Sequence, residues 1–112
     1  MYGIEVRQSG AGILVELWGE FDLFSLATLR EALNQVASLQ RPTLVDLSGI
    51  TFLDLLSARE LAIRSQLYSH YLIFGNPSPG VTASARAFGL ENWVNSQAGG
   101  DHTEPPVISE VS

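Results

Sequence analysis

Residues 44–61 read LVDLSGITFLDLLSAREL, and the order of events in this run decides how the chain folds. Leu44, Val45 and Leu47 make a short strand over 43–48 whose composition implies burial on both sides, as in a central strand of a layered domain. "GITF" (49–52) leads out of it. Asp54 then stands where a helix cap belongs, because its carboxylate can accept a backbone N–H of the first turn. The spacing predicts a helix over 55–68, with Ala58, Leu61, Ala62 and Ser65 on the core face. Leu56, Ile63 and Leu67 lie at another angle, and the polar Arg59, Glu60, Arg64 and Gln66 fill the remainder.

Outward from this run the punctuation is regular. Upstream, "GIEVRQ" (3–8) alternates with Ile4 and Val6 on one face, "SGAG" (9–12) turns, and "ILVELWG" (13–19) alternates with Ile13, Val15 and Leu17 on one face. The two should form a hairpin. Ser25 is placed to cap a helix over 26–39, whose Leu26, Leu29, Leu33, Val36 and Ala37 make an apolar stripe ending at Arg41-Pro42. Downstream, "YLIFG" (71–75) is a buried strand and "NPSPG" (76–80) a loop. "VTASARAFG" (81–89) is a short helix closed by Gly89, and "LENWV" (90–94) a last short strand. From Ala98 the pattern stops, so residues 1–97 are expected to form the domain and 98–112 a disordered tail. No internal repeat is apparent. The order of elements specifies an α/β domain with a mixed sheet, in which strands 43–48 and 71–75 run parallel across the intervening helix, by a right-handed crossover.

Composition narrows the function classes. The 112 residues suit one core, and 46% are hydrophobic. No cysteine is present, which removes disulfides and thiolate metal sites. The net charge of −6 disfavours binding to phosphate backbones, so no nucleic-acid partner is expected. Neither a signal-peptide layout nor an apolar run of the ~20 residues a membrane helix needs is seen, so a soluble cytoplasmic domain without a membrane partner is the expectation.

Three stretches resemble the STAS domain family, named for sulphate transporters and anti-sigma-factor antagonists. "WGEFD" (18–22) resembles its turn after the second strand, and "LVDLSGITFLD" (44–54) its most specific motif. "NPSPGVTASARAFGLENW" (76–93) resembles its Pro-x-Val run and following helix, so that the likeness covers nearly all of 1–95. The resemblance implies a mixed sheet of four or five strands with helices packed on one side, and a role that is not enzymatic. It implies an anti-sigma factor antagonist in bacterial partner switching, bound by an anti-sigma factor that is a serine kinase of histidine-kinase-like fold. That kinase phosphorylates a serine at the start of the second helix. In the family's Asp-Ser-Ser-Gly run the phosphoacceptor position falls on Leu55, between Asp54 and Leu56, with Ser57 in place of the glycine. Leucine cannot accept a phosphate, so recognition is expected to persist without the switch.

The residue chemistry agrees with a docking role. A helix N-terminus presents unsatisfied N–H groups and a partial positive charge. A phosphate there would add about −1.5 to −2 charge beside Asp54 and Asp22. Leu55 removes that chemistry and offers an apolar anchor worth about 1.5–3 kcal/mol when a partner buries it. The candidate partner-binding residues are therefore Glu20, Asp22, Asp54, Leu55, Leu56 and Arg59. Leu55 and Leu56 either form an exposed patch or tuck against a neighbouring element, and Ile63 is expected to tuck in. The same leucines would support a homodimer. Ser57 is either a small polar first-turn residue or an alternative phosphoacceptor, with Arg59 as phosphate partner.

Other readings have less behind them. Glu20, Asp22 and Asp54 would be the carboxylates of a hydrolase or Mg²⁺ site, yet no histidine, lysine or cysteine converges on them. His70 and His102 are too far apart in sequence to suggest a metal site, and no cofactor is implied. Trp18 and Trp93 suit core or edge packing. A ligand-sensing or stressosome-like assembly subunit is the alternative function.

Overall fold

A computed structural model describes residues 1–90 of the chain. The elements in order are β1 (Tyr2–Gln8), β2 (Ile13–Phe21), a short 3-10 turn (Leu23–Ser25), α1 (Leu26–Ser38), β3 (Thr43–Leu53), α2 (Leu55–Leu67), β4 (Leu72–Gly75) and α3 (Pro79–Ala87). They build a four-stranded sheet in the order β1-β2-β3-β4. β1 and β2 form the expected antiparallel hairpin, while β2–β3 and β3–β4 are parallel. The expected strand over 90–94, Trp93, His102 and the boundary at 97 lie outside the described residues.

The period-2 pattern of β2 buries Ile13, Val15, Leu17 and Phe21. Opposite them sit Leu29, Leu33 and Val36 of α1, Ala58 and Leu61 of α2, and Val81 and Ala85 of α3. The sheet carries its core on the face these helices cover. Two expectations fail here. β3 is not buried on both sides: Val45 and Leu47 are buried while Leu44 and Asp46 are only half-covered, because the helices occupy one face. Leu26 is likewise half-covered rather than core.

The larger correction concerns "GITF". Residues 49–52 do not lead out of the strand; they continue it to Leu53, giving eleven residues in all. Irregular pairing makes this possible. The β2–β3 register shifts between Glu16 and Trp18 and again between Gly19 and Glu20, so Trp18 pairs with Gly49 and Phe21 with Leu53. Bulges of this kind change which side chains face inward, and burial on β3 moves to Ile50 and Leu53. Gly19 permits the second shift: its φ is +90°, and a Cβ there would run into the Met1 carbonyl.

α3 starts two residues before the expected span and ends at Ala87, with Gly89 at φ +75° just beyond. Ser78 caps it, accepting from Val81 N–H at 3.1 Å and donating to the Ile50 carbonyl at 2.5 Å. Ser84 donates to the Leu53 carbonyl at 2.7 Å. Two hydroxyls of the α3 segment thereby satisfy the carbonyls of the irregular end of β3 and hold the strand where α2 must begin.

Candidate functional site

β2 and β3 end side by side, and each continues into a turn opened by an aspartate. Asp54 caps α2 as expected, its Oδ1 accepting from Ser57 N–H at 2.8 Å. Its own N–H donates to the Phe21 carbonyl at 3.1 Å, which ties the helix start to the end of β2. On the neighbouring strand Asp22 accepts from Phe24 N–H at 3.0 Å, and the Ser25 hydroxyl accepts from Asp22 N–H at 3.0 Å, closing a capping box. Ser25 therefore does not cap α1 with its side chain, as the sequence suggested; its hydroxyl is spent one turn earlier.

Register shows a repeat that the linear sequence concealed. Phe21 is paired with Leu53, and from these two residues the chain reads FDLFS (21–25) and LDLLS (53–57). In both, the residue before the aspartate and the final serine are buried, and the two apolar residues between face solvent. Leu23 is 60% exposed, Phe24 90%, Leu55 41% and Leu56 42%. The exposed reading of Leu55 and Leu56 therefore holds. Leu23 and Phe24 were missed by sequence reasoning; the signal available was an apolar pair behind an aspartate, the very feature that marked Leu55 and Leu56. Ile63, expected to tuck in, is half-exposed, as is Leu67 further along α2.

The remaining candidates have defined places. Glu20 lies 3.6 Å from the Met1 amine, and its side chain is mostly exposed. Arg59 is exposed. Ser57 is fully buried, with its hydroxyl 3.5 Å from the Asp22 carbonyl. Phosphoryl transfer to Ser57 would require the start of α2 to open, whereas a hydroxyl at position 55 would lie in the open. Asp22 and Asp54 use carboxylate oxygens as caps, and among the described residues no group of three or more His, Asp or Glu could hold a metal ion.

Behind the patch lies a residue assigned to the polar face of α2. Glu60 is only 5% exposed, receives Arg30 Nε of α1 at 3.2 Å, and pairs with Arg64 one turn on. Tyr68 adds a second link to α1, donating to Asn34 Oδ1 at 2.8 Å. These bonds fix α1 against α2, and with them the two turns that precede the helices. Trp18 is 45% exposed and its indole lies against Gly3, which is edge packing as expected. No helix among the described residues is long and apolar enough to cross a membrane.

A family model described as "Mlab, STAS domain" matches residues 4–95. Among solved structures, an anti-sigma factor antagonist from Mycobacterium paratuberculosis superposes with a TM-score of 0.73 at 18% identity, covering 99% of this chain and 94% of that one. The Bacillus cell fate determinant SpoIIAA in its phosphorylated form gives 0.63 at 18% identity, covering 98% and 100%. The anti-sigma factor antagonist SpoIIAA in its unphosphorylated form gives 0.60 at 19% identity, covering 97% and 96%. At these identities the likeness is one of fold. No curated protein matches the sequence significantly.

Proposed function

The chain belongs to the STAS domain family, and from that premise we propose that it is a protein-interaction module, an anti-sigma factor antagonist of bacterial partner switching that lacks the usual phosphoacceptor. Its partner is an anti-sigma factor that is a serine kinase of histidine-kinase-like fold, and its place of action is the cytoplasm. The observation that supports this best is the open apolar surface at the Asp54-capped start of α2. Leu55 and Leu56 are each about two-fifths exposed there, although a folded monomer gains nothing by leaving such side chains in water. Glu20, Asp22, Asp54 and Arg59 form its polar surroundings. Leu55 supplies contact and puts a side chain without a hydroxyl at the position of the family's phosphoacceptor. Binding is then not reversed by the kinase.

The test is a binding titration against a kinase-fold anti-sigma factor with the native chain and Leu55→Asp. The added carboxylate mimics part of a phosphate's charge, so the variant is expected to bind at least about tenfold more weakly. Incubating the native chain with the kinase and ATP should leave its mass unchanged. Equal binding by the two chains removes residue 55 from the interface, and a mass gain of one phosphate on any serine of 48–57 defeats the loss of the switch.

A further inference from the structure

Among the described residues the sheet ends at β1, with no neighbouring strand on its outer side. β1 is seven residues long, contains no proline, and holds Val6 at 43% exposure near its middle. Such an edge is a template for another strand. Which of its backbone groups point outward follows from one bond. Glu20 N–H donates to the Met1 carbonyl at 2.9 Å, and these two residues are opposite one another in the continued β1–β2 register. Opposed residues in an antiparallel pair alternate between those that exchange bonds and those that do not. Gly3, Glu5 and Arg7 therefore spend their backbone groups on β2, while Tyr2, Ile4, Val6 and Gln8 turn theirs to the free edge.

We infer that β1 pairs antiparallel with β1 of a second copy, about a twofold axis through Val6, joining the two sheets into one of eight strands. Only outward-facing residues can bond across the axis, so a symmetric pairing must centre on a single residue. Centring on Glu5 or on Arg7 sets like charges directly opposite one another, which is destabilising. Centring on Ile4 overlaps five β1 residues, as centring on Val6 does, but leaves Glu5 opposite glycine. Centring on Val6 places Glu5 opposite the partner's Arg7 and Arg7 opposite the partner's Glu5. It also sets Val6 against its own copy, so that each donates its free N–H to the other's carbonyl. Glu5 and Arg7 have side chains more than 60% exposed on the face away from the helices. Arg7 already bridges to Glu16 at 2.6 Å and lies 3.6 Å from Glu5, so the partner's charges extend a network that exists in one copy. The axis passes opposite Val15, six residues or about 20 Å from the end of β2. The inference does not rest on the proposed function and leaves the Leu55 surface of both copies open.

Sedimentation equilibrium of the full chain from micromolar to millimolar concentration tests it, the expected result being a shift from 12.1 kDa to twice that mass. Val6→Pro deletes only the outward N–H, a substitution edge strands tolerate; it should give a monomer with an unchanged circular dichroism spectrum. Glu5→Arg sets arginine opposite arginine and should weaken the dimer about tenfold, while Glu5→Arg combined with Arg7→Glu restores the pairs with exchanged signs and should recover the affinity to within about threefold. A monomer at every concentration overturns the inference. So does a dimer indifferent to Val6→Pro and Glu5→Arg, one not recovered by the exchanged pair, or one lost in Leu55→Asp instead.

Discussion

Two turns spelled almost alike, FDLFS at 21–25 and LDLLS at 53–57, leave neighbouring strands and come out differently. The first is a three-residue 3-10 turn that must bend again into α1; the second is the first turn of a thirteen-residue helix. The difference lies in what the aspartate's N–H finds. Asp54 N–H still has a strand beside it and donates to the Phe21 carbonyl. Asp22 N–H donates to the Ser25 hydroxyl instead. That closes the tighter turn. Ser57, relieved of the task, points its hydroxyl across to the Asp22 carbonyl. The same five-residue pattern thus leans in one direction, the second turn resting on the first, and the position of each strand in the sheet decides which is which.

The comparison is broken most severely by removing what holds the two turns in place. Glu60→Ala leaves Arg64 without its buried partner and cuts the bond from Arg30. Breaking a buried pair costs about 3–5 kcal/mol, and the half-exposed Arg30 lowers the expectation to about 2–3 kcal/mol. Thermal unfolding should show a fall of about 10 °C or more; a shift below about 3 °C would mean that α1 and α2 do not need this clamp.

Next comes the apolar pair on each turn. Phe24 is far more exposed than Leu55, so a partner has more surface to gain there. Phe24→Ala should weaken partner binding by about 2 kcal/mol and Leu55→Ala by about 1 kcal/mol, with little change in melting temperature for the first. Titration of both variants checks the order. If Phe24→Ala binds like the native chain, the first turn is no part of the interface and only the second serves the partner.

The caps give the smallest effect and the finest discrimination. Asp54→Ala removes the cap of a full helix and should cost about 1 kcal/mol, while Asp22→Ala shortens the box on a three-residue turn and should cost about half that. Denaturant titration of the two variants resolves the difference, and equal costs would show that the turns are energetically equivalent despite their different geometry.

Much of the fold was legible. The hairpin, the core face of β2, α1, the Asp54 cap and the parallel strand after α2 all follow from signals confined to a few residues: a period, a breaker, a capping oxygen. The apolar pair at Leu55 and Leu56 was legible as a pair, while its exposure to solvent was decided by the packing around it. Where reading failed, the deciding partner lay far away in the chain. Gly49 reads as the end of a strand, yet the strand continues because Trp18 pairs with it and hydroxyls from α3 satisfy its carbonyls. Glu60 reads as a solvated residue of an amphipathic helix, yet it is buried because Arg30, thirty residues earlier, comes to meet it. Leu23 and Phe24 gained meaning only when register set Phe21 beside Leu53.

By itself, then, the chain's sequence determined the Asp54 cap, its periodicities and the apolar side chain that follows that cap at position 55, because each depends on bonds or side chains within about one turn of the backbone. Tertiary structure alone decided which carboxylate is buried, where β3 stops and which two apolar pairs share an edge of the molecule. Those outcomes rest on hydrogen bonds and ion pairs between residues some thirty apart in sequence, which exist only after the sheet and helices have come together.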